Sequence, residues 1–471
     1  MTATEDRIAA LVEAGADRIV ATLCDLVSFP SIVLNDPTKA GPGERDCQLY
    51  LQKRIEALGF TTDLWDPDGP ALYAKYEGRP GANKGRTFEG RPNLGGVLKG
   101  SGGGRSIMLT GHIDVVPPGA AEHWKSDPFV PVVEDGFVRG RGTIDMKGGV
   151  ASMLMAVEFL KEAGVPLAGD IVFTTVVDEE IGGMGSLAMV DRGFSADAGI
   201  MTEPTANRIA PLCHGILWGR IVIDGIGGHA ELTPNAWYGS GPVDAIQLCR
   251  QMLDGLDILN RRWMFDPKKN HPLMDLPNQI IVTQIKAGEH PSSMAGKAEI
   301  IIDVQYLPHE KDEFGLGGHV KREIEAHVAA VCQADPYLAA HPARVEWILD
   351  ADCAEVPADH PFVGAFQGAV TAAGLSPVLS GFGAHSDIGL PTGLGRTPTV
   401  NFGPGDPAQS HQPNEQVSVR DLVDCTKRSR SPWHAGAREG VVGDGPAFHA
   451  GTVPYGPPLS PVPPPQGGRG R

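Results

Sequence analysis

Five short clusters of histidine and acidic residues, in a fixed order and mostly at the ends of strand-like runs, constrain this chain more than any other feature. They are GHIDVVPPG (Gly111 to Gly119), GRGTIDMKGG (Gly140 to Gly149), DEE (Asp178 to Glu180), TEP (Thr202 to Pro204) and SHQPNE (Ser410 to Glu415). The runs Ser106 to Thr110, Asp170 to Val177, Ala198 to Thr202 and Thr397 to Phe402 precede, in turn, His112 with Asp114, Glu179 with Glu180, Glu203, and His411. Strands alternating with helical stretches predict an α/β layer with a largely parallel sheet, and such sheets hold ligands beyond the carboxyl ends of their strands. All four clusters would then converge on one crevice. Asp145 joins them from the turn ahead of a helix over 147–163, where Val150, Met153, Leu154 and Val157 follow i, i+3, i+4, i+7.

Charge counting on this set points to two divalent ions. Asp145, Glu180 and Glu203 supply three negative charges, while His112 and His411 bind as neutral imidazoles. Two M²⁺ ions and one hydroxide between them bring the total to zero. Without metal, clustered carboxylates repel one another and take up protons. Mixed nitrogen and oxygen ligands with no thiolate suit catalytic zinc with an open position, cobalt being an alternative. His112 and Asp114 are two residues apart, so in extended chain they face the same way and Asp114 can orient His112. Glu179 and Glu180 face opposite ways, so Glu180 can ligate metal while Glu179 acts as general base on the bridging water. Each motif alone is weak: a lone H-x-D is mostly chance, and D-E-E or T-E-P is usually a turn. Their joint occurrence in order carries the reading.

At 471 residues the chain exceeds what one core usually fills, so two domains are expected. After Cys213 the pattern changes. Ile216 to Asp224 reads as a strand and Val243 to Ile258 as a helix. Gln279 to Lys286 and Ala298 to Leu307 read as strands, Lys311 to Cys332 as a helix, and Arg344 to Leu349 as a last strand. That order, βαββαβ, is a ferredoxin-like unit. The expected division is therefore 1–212 and 351–427 as catalytic domain, 213–350 as inserted lid, and 428–471 as a disordered tail rich in Pro, Gly and Arg. The abrupt shift near Arg428 resembles a change of reading frame more than an evolved helix end. Ahead of the first cluster, 5–28 and 43–58 carry helical spacing, and 77–95 is a Gly- and Pro-rich loop.

Bulk properties exclude several classes. Forty Lys and Arg against 57 Asp and Glu give −17, too acidic for a nucleic-acid binder. No apolar run approaches a membrane span, and the start reads as an amphipathic helix rather than a signal peptide. Seven scattered cysteines without C-x-x-C suit a reducing cytoplasm. Cys213 beside His214 reads as packing rather than a nucleophile. The glycines of Gly95 to Gly104 lack the phosphate-loop pattern and read as a loop between strands.

These motifs resemble the dinuclear zinc peptidase/deacylase superfamily of acetylornithine deacetylase, succinyl-diaminopimelate desuccinylase, aminoacylase and the glutamate carboxypeptidases. The similarity runs from about residue 10 to Lys427, and in the GHIDVVP and GPGD…H segments it looks closest to the acetylornithine deacetylase-like branch. It implies metal ligation by His112, Asp145 (bridging), Glu180, Glu203 and His411, with Glu179 as base, Asp114 supporting His112, and a cis peptide after Asp145. It also implies a lid that makes a homodimer, with His229 of GGHA reaching the partner's site to stabilise the oxyanion. The expected activity is removal of an acyl group from an N-acyl amino acid or related N-acyl amine. The alternatives are a dipeptidase or carboxypeptidase with the same site, or a catalytically silent binding homologue. The departures from the family pattern concern substrate: Ser292, Ala295 and Gln305 stand where members carry N-x-x-P and an arginine, and Asp387-Ile388-Gly389 stands for D-A-R. Arg220, Lys286, Lys297 and Arg396 are the candidate replacements.

Overall fold

The computed structural model describes residues 3–34, 36, 39, 41–231 and 241–429. Its main layer is an eight-stranded mixed sheet, whose strands in spatial order are Thr61–Trp65, Asn93–Leu98, Ile171–Val176, Ile107–His112, Ala198–Met201, Thr399–Asn401, Ile209–Cys213 and Leu379–Phe382. The central four, Ile171–Val176, Ile107–His112, Ala198–Met201 and Thr399–Asn401, run parallel to one another. Both inner strands are buried along their whole length, as the continuous apolar runs require when helices cover both faces.

The helix Lys147–Glu162 lies against this sheet, packed also by Ala16–Val27 and Val419–Ser429. Its approach is close enough that a Cβ at Gly149 would sit 1.9 Å from the Thr202 carbonyl, so this turn of helix must be glycine. The expected single helix over 5–28 is two, Ala3–Ala14 and Ala16–Val27. The break falls at Gly15, where a Cβ would meet the Phe159 ring at 2.3 Å. Three elements had no clear periodic signal: the edge strand Thr61–Trp65, the helix Gly69–Tyr76, and the short strand Leu379–Phe382. The last helix continues through Ser429, slightly past the expected start of the tail; the remainder of that tail, 430–471, lies outside the described residues.

Between Cys213 and Ala351 a second, four-stranded antiparallel sheet is inserted, in the order Ile280–Ala287, Lys297–Tyr306, Gly215–Asp224, Arg344–Ala351. Numbered along the chain this is 2-3-1-4, the ferredoxin-like order, with the helices Ala245–Trp263 and Gly318–Gln333 on one face. Alternation sets that face: Ala298, Ile300, Ile302, Val304 and Tyr306 are buried while the residues between them are not. No helix among the described residues is long and apolar enough to cross a membrane.

Candidate active site

His112 is the last residue of its strand, two residues beyond the expected strand end, and is almost fully buried. Its Nε2 lies 3.1 Å from Asp145 Oδ1, 3.7 Å from Glu203 Oε1 and 3.8 Å from Glu179 Oε2. The second oxygen of Asp145 faces another imidazole: Oδ2 is 3.4 Å from His411 Nε2, which is also 3.0 Å from Glu180 Oε2. One carboxylate therefore stands between two histidine–carboxylate groups. The Asp145–Met146 peptide is cis, as the resemblance implies.

Supporting contacts come from distant parts of the chain. The His112 Nδ1 meets the Asp114 backbone carbonyl at 2.9 Å, whereas its distance to the Asp114 carboxylate is 3.6 Å. The Asp114 carboxylate instead accepts from the backbone N–H groups of Glu179 and Glu180, at 3.4 and 3.3 Å. Asp114 thus holds the ring through its carbonyl and the DEE turn through its side chain. That turn begins at Asp178 in the left-handed region (φ 73°), pinned by Arg91 at 3.2 Å, which also grips Glu44 at 2.7 and 2.9 Å. The Asp145 turn is held by Glu415, which accepts from the N–H groups of Ile144 (2.7 Å) and Asp145 (3.1 Å) and from Arg141 (2.6 Å).

Carboxylates outnumber positively charged side chains in this cluster. Burial by itself would lower the His112 imidazole, but the carboxylates of Asp145, Glu179 and Glu203 outweigh it and hold it well above its ordinary range. Glu180 pushes His411 up to about 11. Burial raises Glu179 and Glu203 well above the usual carboxylate range and Asp114 to about 7. Carboxylates held this close raise one another's pKa unless a cation lies among them. Glu180 Oε1 and Glu203 Oε1 are buried without a hydrogen-bond partner. Buried carboxylate oxygens of that kind are expensive unless something pairs them. Nitrogen and oxygen donors, bare oxygens and a carboxylate between two imidazoles all fit a pair of divalent cations; ligand atoms of His112, Glu179 and Glu203, and of His112, Asp145 and Glu180, lie within 4.8 Å of one another.

His229 is not part of this cluster. It sits exposed on the lid, in a two-residue strand paired with Ser293–Met294. The four cations considered for a substrate carboxylate are also elsewhere. Arg220, Lys286 and Lys297 lie on the lid sheet, where Arg220 faces Glu346 at 3.5 Å, Lys286 pairs in register with Glu299, and Lys297 reaches Glu299 at 2.6 Å. Arg396 is exposed before the first residue of its strand, at the end opposite the cluster. Cys213 is buried, its thiol pushed up to about 12 by that burial. Sequence reasoning missed His385, whose Nε2 lies 3.4 Å from Asp387 and 3.9 Å from Glu179. It directly precedes the Ser386–Asp387 pair, so the signal available was a histidine beside a stretch already marked as unusual.

Residues 108–430 match the family model for peptidase family M20/M25/M40. The chain is 28% identical over 447 residues to the N-formyl-4-amino-5-aminomethyl-2-methylpyrimidine deformylase of Halalkalibacterium halodurans, covering 90% of this chain and 95% of that one. It is 27% identical over 426 residues to the succinyl-diaminopimelate desuccinylase of Xanthomonas campestris pv. campestris, covering 86% and 95%. In fold it is similar to the di-peptidase Dug1p of Saccharomyces cerevisiae, with a TM-score of 0.70 at 14% identity, covering 93% of this chain and 100% of that one. The match spans the inserted sheet and every cluster around Asp145, so the chain belongs to peptidase family M20/M25/M40 and is a hydrolase of amide bonds.

Proposed function

We propose that the protein removes an acyl group from an N-acyl amino acid or related N-acyl amine, using two divalent ions, zinc in the first instance. The observation that carries this reading is Asp145, whose two oxygens each face a different imidazole. His112, Glu203 and one oxygen of Asp145 would hold one ion; His411, Glu180 and the other oxygen would hold the second. Two such ions lower the pKa of a water and polarise an amide carbonyl. Glu179, with one oxygen toward His112, takes the proton of the attacking water and delivers it to the departing nitrogen. Asp114 holds both ends of this arrangement, and Glu415 fixes the Asp145 backbone.

Residues 1–212 and 351–427 form the catalytic domain in this reading, and 213–350 the lid. Exposed apolar residues on the lid, Ile285 on an edge strand and Ile246 and Ile258 on a helix, support pairing of two lids in a homodimer. His229 would then serve the partner's site as an oxyanion donor. The seven free cysteines support a cytoplasmic location.

The peptidase name of the family favours a second reading, dipeptide hydrolysis at the same site. Elemental analysis of the purified protein, with hydrolysis assays on N-formyl, N-acetyl and N-succinyl amines and on dipeptides, separates the two. We expect two metal equivalents and turnover of N-acyl compounds. Turnover of dipeptides alone would replace the first reading by the second, and a single metal equivalent in a fully active protein would overturn the two-ion assignment.

A further inference from the structure

The carboxylate of Glu179 has two neighbours of the same kind, one on each oxygen. Oε2 lies 3.8 Å from His112 Nε2, and Oε1 lies 3.9 Å from His385 Nε2. That nitrogen of His385 is also 3.4 Å from Asp387 Oδ1, and ligand atoms of Glu179, His385 and Asp387 all fall within 4.8 Å of one another. One imidazole and two carboxylates are likewise the donors of each half of the cluster around Asp145: His112 with Asp145 and Glu203, and His411 with Asp145 and Glu180. The third group repeats that donor set on the other oxygen of the general base.

Spacing, hydrogen bonding and charge all suit an ion. Tetrahedral bonds of ~2.0–2.2 Å to nitrogen and oxygen set ligand atoms ~3.3–3.6 Å apart. His385 and Asp387 stand at that spacing, and Glu179 slightly beyond it. Asp387 is 1% exposed and its Oδ2 has no hydrogen-bond partner, nor has either ring nitrogen of His385. Buried polar atoms of that kind are costly unless something pairs them. A metal ion needs no cavity for this, because it takes the centre of atoms already gathered around it. The way in is past the Glu179 and His385 side chains, which keep 10% and 14% of their surface exposed. The two dications of the proposed centre are balanced by Asp145, Glu180, Glu203 and a hydroxide. Glu179, Asp387 and Asp352 then remain, with Lys311 set against them near Asp352. His112 and His385 are neutral as metal ligands. Three carboxylates against one ammonium leave the charge that one more dication cancels.

We propose that His385, Asp387 and Oε1 of Glu179 form a third, inhibitory metal site, which takes zinc when zinc is in excess and so withdraws the base from the reaction. The proposal rests on the amidohydrolase reading above and adds a regulation to it. An ion at this site holds Glu179 in its ionised form and occupies lone pairs that would accept the proton of the attacking water. Turnover falls while the two catalytic ions stay in place. The site fills last, because a third dication is repelled by the first two. An imidazole among its donors selects zinc over magnesium.

Equilibrium dialysis of the whole protein against rising free zinc, followed by elemental analysis, counts the ions. Initial rates on the best N-acyl substrate at the same zinc concentrations follow the base. Zinc should climb from two to three equivalents per chain, and turnover should fall by at least about tenfold over that same range. His385→Ala and the milder His385→Gln should keep the first two equivalents and lose the third. Whatever their rates without excess zinc, both should need at least about tenfold more zinc for half-inhibition. Glu179→Gln, read by zinc count alone, should also stop at two. Magnesium added in place of the excess zinc should change neither count nor rate. A wild-type count that stops at two overturns the site, as does a third equivalent bound equally well by both His385 variants. A third equivalent that binds without slowing turnover overturns the inhibitory role. Should no N-acyl compound or dipeptide be hydrolysed at any zinc concentration, the amidohydrolase reading falls and the inhibitory role with it, while the zinc count still decides the site.

Discussion

Glu179 and Glu180 are adjacent in sequence and differ in what they can do because the turn at Asp178 points them apart. Glu180 lies against His411 at 3.0 Å, and Glu179 lies between His112 and His385. Replacing Glu179 by Gln keeps the shape and removes the base. We expect both metal equivalents to remain and turnover to fall by about 10²–10⁴-fold, read by elemental analysis alongside steady-state kinetics. Loss of one metal equivalent instead would interchange the roles of the two glutamates. Lys147 is buried, donates to the Leu26 and Phe29 carbonyls at 3.0 and 2.7 Å, and is pushed down by burial from an ordinary 10.5 to about 8. Between those values the unfolded chain holds the proton and the folded chain does not, so stability rises with pH across that window. From pH ~7.5 to ~9.5 the wild type should gain about 2 kcal/mol more unfolding free energy than Lys147→Met. Urea titrations at the two pH values measure it, and equal slopes would place the Lys147 pKa in its ordinary range.

At the scale of elements, the site is assembled by buried charges that tie separate loops together. Arg91 joins the helix Glu44–Ala57 to the DEE turn. Glu415 joins the loop carrying His411 to the Asp145 turn and is itself paired with Arg141, whose guanidinium also lies over the Trp124 ring at 5.3 Å. Truncating one partner of such a buried pair leaves the other uncompensated, at a cost of about 3–5 kcal/mol. Glu415→Ala should therefore lower the thermal midpoint. It should also weaken metal binding about 10–100-fold, because the groups that orient metal ligands matter nearly as much as the ligands. Competition with a chromophoric chelator measures the second effect; unchanged affinity would show that Asp145 keeps its position without Glu415.

At the scale of the whole molecule, His229 presents the sharpest question, since it lies exposed on the lid and outside the cluster of its own chain. If it serves a partner's site, His229→Ala should lose roughly 10²–10³-fold in kcat with metal content unchanged. Mixed with Glu179→Gln protein, it should form heterodimers that regain one working site, with Glu179 from one chain and His229 from the other. No recovery after confirmed subunit exchange would remove His229 from the mechanism or return it to its own chain's site.

Strand alternation, helical period and motif order are local properties, and they were sufficient for the parallel sheet, the inserted βαββαβ unit and for singling out His112, Asp145, Glu180, Glu203 and His411 as candidates, side chains that the fold brings near one another. Their limits are also local: the helical period runs on through Gly15 although one helix ends and another begins there, and the close approach of the Phe159 ring, which leaves no room for a Cβ at that position, is something periodicity does not report. The contacts that shape the site's surroundings span long separations, 270 residues between Glu415 and Asp145, 65 between Asp114 and Glu179. Nothing in the local sequence of His385 marks it as a neighbour of Glu179. Those relations are set by how the loops around the main sheet pack, and packing brings together side chains whose local sequences are independent of one another.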